Sequence, residues 1–334
     1  MVKFYKLMFL STLVMGTLIA ISSYSWLSMW IGLEINLLSI IPLLSDSKNL
    51  YPSESALKYF ITQALASAIL LFSIVSALNL NDLISFDQNY LPMMMMNSAL
   101  LTKMGAAPFH AWFPEVLEGL NWPNCMIMLT WQKLAPMVIL MYNIKMTLFL
   151  SSIIVFSAVV SGIQGLNQIS LRKIMAYSSI NHIGWMIGSM MSSQPIWFMY
   201  FLTYTVISAN IIVILFMLNI FYLKQMFNSL NQNKMIKFFF ILNFLSLGGL
   251  PPFLGFFPKW LTINGLVLNG FLALSVILIV STLITLFFYL RVTFSTMVIN
   301  TSETLVMMPR AKVLTAVFGN FIALTGLIVC TLIL

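Results

Sequence analysis

Residues 105–115 read GAAPFHAWFPE, and residues 249–259 read GLPPFLGFFPK. Aligned without a gap, the two stretches share Gly105 with Gly249, Pro108 with Pro252, Phe109 with Phe253, Phe113 with Phe257 and Pro114 with Pro258. Trp112 stands opposite Phe256, so five of eleven positions are identical and a sixth is aromatic in both, at an offset of 144 residues. Each stretch interrupts a long apolar run. A proline inside a helix has no N–H to donate and crowds the preceding turn. Carbonyls are therefore freed at a depth where only protein or water can satisfy them. A break of this kind in two matching places predicts an internal repeat built around discontinuous helices, the arrangement that marks the transport path in transporters. The alternative is a pair of structural kinks.

The composition around these breaks is that of a membrane protein. The chain has 334 residues, 60% of them hydrophobic, with 16 basic and 8 acidic side chains and a mean hydropathy of +0.99. Charged residues make up 7% of it, where a soluble domain carries roughly 25%, so a water-facing surface cannot be covered. Apolar runs broken by polar or turn-forming clusters fall at about 7–22, 25–45, 54–80, 91–118, 122–142, 147–166, 172–192, 196–222, 236–268, 271–298 and 312–334. Runs of this length satisfy their backbone only as helices, because the short alternating segments of a membrane barrel are missing. The expected fold is all-α, a polytopic membrane helix bundle of about eleven transmembrane helices, two of them discontinuous. An offset of five spans is odd, which inverts the second copy relative to the first. We expect one integral membrane domain over 1–334, with a first repeat at about 25–142, a second at about 147–298 and a C-terminal helix at about 312–334. Lys3 and Lys6 before the run Leu7–Ser22 resemble a signal peptide, but the next apolar stretch follows at once, so this is read as the first permanent span.

The basic residues orient the bundle. With the N-terminus on side one, that side receives Lys3, Lys6, Lys48, Lys58, Arg172, Lys173, Lys224, Lys234, Lys237, Arg291, Arg310 and Lys312, whereas side two receives Lys145 alone. A missed or invented span would exchange every later loop, so this bias supports the count and puts the N-terminus on the positive side. The net charge of +8 is thus topological. Basic residues spread singly or in pairs along span ends do not form a nucleic-acid patch. The sequon at Asn300 falls on the inner side and is read as accidental.

Three lysines and a glutamate remain inside the spans: Lys103, Lys133, Lys259 and Glu34. Each costs about 2.5–3.5 kcal/mol at a helix centre on insertion scales, so none should face lipid. One acid cannot neutralise three bases. Burial lowers a lysine's proton affinity and a nearby carboxylate raises it, so such lysines can be switched between charged and neutral forms, as a proton relay requires. A static ion pair with snorkelling lysines is the plainer alternative. Lys133 argues against it, because about ten apolar residues flank it on each side. His110 lies seven residues after Lys103, on the same face if the helix continued, and His182 lies in the seventh span. Both are candidate relay groups or core imidazoles bonded to carbonyls. Glu115 and Glu118 are read as facing water. The 25 methionines are read as soft packing. Cys125 and Cys330 are far apart in apolar runs, which leaves no disulfide framework, zinc site or iron–sulfur motif.

Several longer motifs carry a resemblance: WIGLEINLLSIIPLL, LKYFITQALAS, KMGAAPFHAWFPEVLEGL, MLTWQKLAP, GLNQISLRKIMAYSSINHIGW and NFLSLGGLPPFLGFFPKW. In these the chain resembles the chain 2 family of mitochondrial NADH:ubiquinone oxidoreductase (respiratory complex I), the insect members most of all. The similarity is weakest in the loop from Leu80 to Pro92 and after Asn300. The resemblance implies an antiporter-like subunit of the membrane arm, related to subunits of Mrp-type cation/proton antiporters. It implies fourteen helices in family members elsewhere and the loss of the first three in animal versions, which agrees with eleven here. It further implies that Glu34 pairs with Lys103, that Lys133 is the central residue of a hydrophilic axis, and that Lys259 serves the second broken helix towards a neighbouring subunit. His110 and His182 match family histidines.

From this follows the expectation of a core complex I subunit that moves protons from matrix to intermembrane space, coupled to NADH-to-ubiquinone electron transfer in other subunits. The Glu34–Lys103 charge would alter the proton affinity of Lys133, which would pass its proton along water towards Lys259. With no GxGxxG fingerprint and no cysteine cluster, no cofactor is expected in this chain. NADH, FMN, iron–sulfur clusters and ubiquinone are implied in partner subunits. The expected partners are other membrane-arm subunits, among them a neighbouring antiporter-like chain and small membrane subunits, and lipids. The expected location is the mitochondrial inner membrane, with the N-terminus in the matrix and the C-terminus in the intermembrane space. The alternatives are a stand-alone Mrp-like cation/proton antiporter and a structural subunit that seals the arm without a proton path.

Overall fold

The computed structural model describes residues 4–46, 49–81, 90–231 and 234–298. The expected helix at 312–334, the sequon at Asn300, Cys330 and the basic residues Lys3, Lys48, Arg310 and Lys312 lie outside the described residues. Within them the chain folds as α1 (Phe4–Ser22), α2 (Trp26–Leu44), α3 (Leu50–Asn81), α4 (Tyr90–Met104), α5 (Trp112–Gly119), α6 (Trp122–Leu129) and α7 (Trp131–Met141). There follow α8 (Thr147–Gly165), α9 (Leu171–Ser192), α10 (Gln194–Leu218), α11 (Leu223–Leu230), α12 (Lys234–Gly248), α13 (Phe256–Leu268) and α14 (Leu272–Val298). Among the described residues, seven stretches are long and apolar enough to cross a membrane: α1, α2, α3 to Leu78, α6 with α7, α8, α10 and α14. The chain is a polytopic membrane helix bundle.

It divides into two compact units, Met1–Ser152 and from Ile153 onward. In the first, α3 packs against α2, α4 and α5, and α7 against α1 and α4. A Cβ at Gly32 would lie 2.6 Å from the Ala20 nitrogen, so glycine is what lets α1 and α2 approach so closely. Leu10, Met15 and Leu18 on the outer face of α1 are exposed, as are Leu57, Ile61 and Leu65 on α3, an outward apolar face suited to a hydrocarbon surround.

In the second unit the polarity runs inward. Almost all of α9 is buried, including Ser178, Ser179, Asn181, His182 and Ser189, and α10, α13 and α14 pack against it. Polar and small residues belong inside a membrane bundle, where they find partners that lipid cannot offer. Asn219 ends α10 at Leu218 by taking the left-handed conformation, with φ 50°, which asparagine tolerates better than most residues. The apolar run expected to reach residue 222 therefore stops short. An antiparallel bridge joins Ser170 to Tyr222, and Gln225 Oε1 accepts from the Phe221 and Tyr222 N–H groups at 3.0 and 3.3 Å to start the short helix α11.

Candidate functional site

The α4–α5 junction and the α12–α13 junction are built alike. Gly105 has φ 77° and Gly249 has φ 75°, a left-handed region that side chains resist. In the first junction the Gly105 and Ala106 N–H groups both reach back to the Leu101 carbonyl, at 3.0 and 3.1 Å; in the second, the Leu250 N–H reaches the Leu245 carbonyl at 3.4 Å. Both are left-handed stops of the Schellman type.

The remaining helix-end carbonyls are satisfied differently. At the first junction Trp112 Nε1 donates to the Thr102 carbonyl at 3.1 Å and Gln63 Nε2 to the Lys103 carbonyl at 3.4 Å. In the repeat Trp112 is matched by Phe256, which has no N–H to give, and Glu115 is matched by Lys259. There the Lys259 ammonium itself donates to the Gly248 and Leu247 carbonyls, at 3.1 and 3.5 Å. It also lies 5.7 Å from the centre of the Trp185 ring, within range of a cation–π attraction. Glu115 points outward and meets Lys58 at 3.2 Å, while Glu118 is half-buried.

The first unit brings Glu34 and Lys103 together at 3.5 Å. The lysine side chain is 4% exposed and the carboxylate side chain 25%, so the pair opens on the glutamate side. Lys133 is buried, with its ammonium 5.4 Å from the centre of the Phe113 ring. Phe113 in turn sits where a Cβ on Gly105 would meet it at 3.1 Å, so the glycine turn after Lys103 also seats the ring that faces Lys133.

Two expectations change. Lys133 does not sit in the middle of an unbroken helix. The helix is interrupted at Thr130, where φ is −113° and ψ −70°, and Lys133 falls in the first turn of α7. Thr130 Oγ1 takes the Met126 carbonyl at 2.6 Å, the back-bonding that bends helices. Pro136 also denies the Gln132 carbonyl its i+4 donor. Nor does His110 share a helical face with Lys103, because Gly105 ends α4 first. His110 lies half-buried in the junction, where its carbonyl accepts from Phe113 N at 2.9 Å. His182 is buried, with Nδ1 2.9 Å from the Tyr200 hydroxyl and its ring 5.1 Å from that of Tyr204.

Sequence reasoning passed over Asn36, Tyr59, Gln63, Gln132 and Tyr200. The available signal was polarity within apolar runs, since Asn36 is two residues from Glu34 and Gln132 is next to Lys133. Single amides cost less than charges and so stood out less.

A model of the family described as NADH:quinone oxidoreductase/Mrp antiporter, transmembrane, matches residues 23–285. The chain is 47% identical over 340 residues to NADH-ubiquinone oxidoreductase chain 2 of Anopheles gambiae, covering 100% of this chain and 99% of the mosquito protein. It is 48% identical over 338 residues to the protein of that name from Aedes aegypti, with the same coverage. Among solved structures, a chain of respiratory complex I from Thermus thermophilus with bound aureothin superposes with a TM-score of 0.87 at 24% identity, covering 97% of this chain and 78% of that one.

Proposed function

The chain belongs to the NADH:quinone oxidoreductase/Mrp antiporter transmembrane family, and from that premise we propose that it is the antiporter-like chain of the membrane arm of respiratory complex I. It acts within the proton-translocating NADH:ubiquinone oxidoreductase as a multi-pass protein of the inner membrane. Its share of the work is to carry protons from matrix to intermembrane space, while NADH oxidation and ubiquinone reduction take place in partner subunits. Those partners hold the FMN and iron–sulfur groups, in keeping with a sequence that has neither a dinucleotide fingerprint nor a cysteine cluster.

The observation that carries this reading is the Glu34–Lys103 pair in the same unit as the deeply buried Lys133. Glu34, Lys103, Lys133 and Lys259 are the proton-carrying groups, with His110 and His182 as further relay candidates. Moving one charge against 100 mV costs about 2.3 kcal/mol. A unit change of charge supplies about that much over roughly 7 Å at an effective dielectric constant of about 20. Charging or neutralising the Glu34–Lys103 pair is thus on the right scale to drive a proton on or off a nearby lysine. Lys259 carries the corresponding step in the second unit.

In the membrane this reading gives eleven crossings. The α4–α5 and α12–α13 stretches are then single broken spans, one in each of the repeats covering about 25–142 and 147–298. Their offset of five crossings is odd, which gives the copies opposite sense. The excess of lysine and arginine puts the N-terminus in the matrix and the C-terminus in the intermembrane space.

The test is the assembled enzyme with Lys133→Met, reconstituted into vesicles and assayed for protons moved per electron. Translocation is expected to fall about a hundredfold, the low end of what a positioned proton-transfer group contributes. Unchanged rate and stoichiometry would mean that the chain only seals the arm.

A further inference from the structure

Three helices of the first unit aim polar side chains at one small cavity. Asn36 comes from α2, Tyr59 and Gln63 come one turn apart from α3, and Gln132 comes with Pro136 from α7; Lys103 of α4 closes the ring. The cavity measures about 10 Å³, close to the least that holds one water. Asn36, Tyr59 and Gln63 are each 3% exposed.

The polar groups around it are held in a fixed order. Gln132 Nε2 donates to Asn36 Oδ1 at 2.8 Å, which turns its oxygen towards α3. The Tyr59 hydroxyl donates to that oxygen at 3.4 Å, so its lone pairs stay available. The Tyr59 ring is braced by Trp112, with centroids 5.8 Å apart. Gln63 spends an N–H on the Lys103 carbonyl. Because Pro136 has no N–H, Gln132 also brings a backbone carbonyl without its i+4 donor to this level of α7. A cationic donor, Lys103, thus shares a water-sized space with a phenol acceptor and a residue with a spare carbonyl. A buried water needs two to four such partners.

We propose that this cavity is a water site that gives Lys103 a second, neutral seat, and that Asn36, Tyr59 and Gln132 are its positioning residues. The inference rests on the proton-carrying reading above and extends it. While Glu34 is a carboxylate, it holds the ammonium. Once Glu34 is neutral, the oriented water takes over a hydrogen bond from Nζ, and the lysine keeps a partner as the pair opens. Without that water the ammonium would have to stay with Glu34, and the pair could not cycle.

The test uses the assembled enzyme in vesicles, with Tyr59→Phe and Gln132→Met compared with wild type and Lys133→Met. Two readouts are taken: protons translocated per NADH oxidised, and the O–H stretching band in redox-difference infrared spectra that moves when H₂¹⁶O is exchanged for H₂¹⁸O. Tyr59→Phe and Gln132→Met are expected to assemble, to lose an ¹⁸O-sensitive band and to translocate about tenfold more slowly, as when a positioned group is displaced. Lys133→Met should lose translocation and keep the band. Retention of the band or of full translocation in both cavity variants would overturn the proposal. So would failure of both to assemble, which would make the network structural. Normal pumping by Lys133→Met would instead count against the proton-carrying reading, while the band would still decide whether the water site exists.

Discussion

Glu34→Gln is expected to deplete the assembled enzyme far more than Lys103→Met, and the double variant should recover much of the loss without recovering proton translocation. Removing one member of a buried ion pair strands the other, at a cost of about 3–5 kcal/mol, or roughly two to three and a half powers of ten in the folding equilibrium. The two singles are unequal because burial is unequal. Lys103 is 4% exposed and Glu34 25%, so loss of the glutamate leaves the more deeply buried charge with only a neutral partner, the cavity water, where it had a carboxylate. Loss of the lysine leaves a carboxylate with a quarter of its side chain open. Removing both leaves no stranded charge, and apolar replacement of a whole buried pair is often close to neutral. Native-gel abundance and thermal melts of the isolated complex give the stability arms of this cycle, and vesicle assays give the transport arm. Equal losses for the singles, or a double variant as unstable as Glu34→Gln, would mean that the 3.5 Å pair is not what holds these helices.

Gly249→Ala is expected to cost about 3–5 kcal/mol, against about 1–2 kcal/mol for Gly270→Ala. Both glycines are left-handed, with φ 75° and 82°, so both substitutions incur the same backbone strain of about 1–2 kcal/mol. The difference lies in their surroundings. A Cβ at Gly270 meets nothing within 4 Å, whereas one at Gly249 would lie 2.8 Å from Lys259 Cδ and 3.0 Å from its Nζ. The end of the lysine must then shift off its seat on the Gly248 and Leu247 carbonyls, and each buried group it leaves unsatisfied costs about 1–3 kcal/mol. Thermal melts of the two variants in the assembled enzyme measure the difference directly. On the role proposed for Lys259, translocation should fall in Gly249→Ala alone, since only there is that lysine displaced. Equal melting shifts would show that Lys259 is not seated on the junction.

The broken stretches at Gly105 and Gly249 were legible because glycine and proline act locally: no neighbour is needed for a proline to lack its N–H or for a glycine to turn left-handed. The apolar runs of α1, α2 and α3 were legible for a similar reason, since length and hydropathy are properties of the chain and the bilayer together. The departure at Thr130 was not. It depends on whether a hydroxyl takes its own helix's carbonyl, a choice that neighbouring helices decide. The stop at Asn219 was missed because one apolar run continues past it.

The four charges in the membrane are a different case. That Glu34, Lys103, Lys133 and Lys259 should each be kept from lipid follows from the sequence alone, because a charge in hydrocarbon is too costly to be incidental. Which group each one faces does not. Lys103 meets a carboxylate from another helix, Lys133 faces an aromatic ring on another helix, and Lys259 caps the carbonyls that end the preceding helix; each outcome depends on how separate helices pack. The same holds for Asn36, Tyr59 and Gln132, each unremarkable in its own run and joined only where α2, α3 and α7 converge. Hydropathy and backbone chemistry are written one residue at a time, so the sequence determined the membrane bundle, its breaks and its charged residues. Hydrogen bonds and ion pairs form between residues remote in sequence, so only the tertiary structure decided what those residues do to one another.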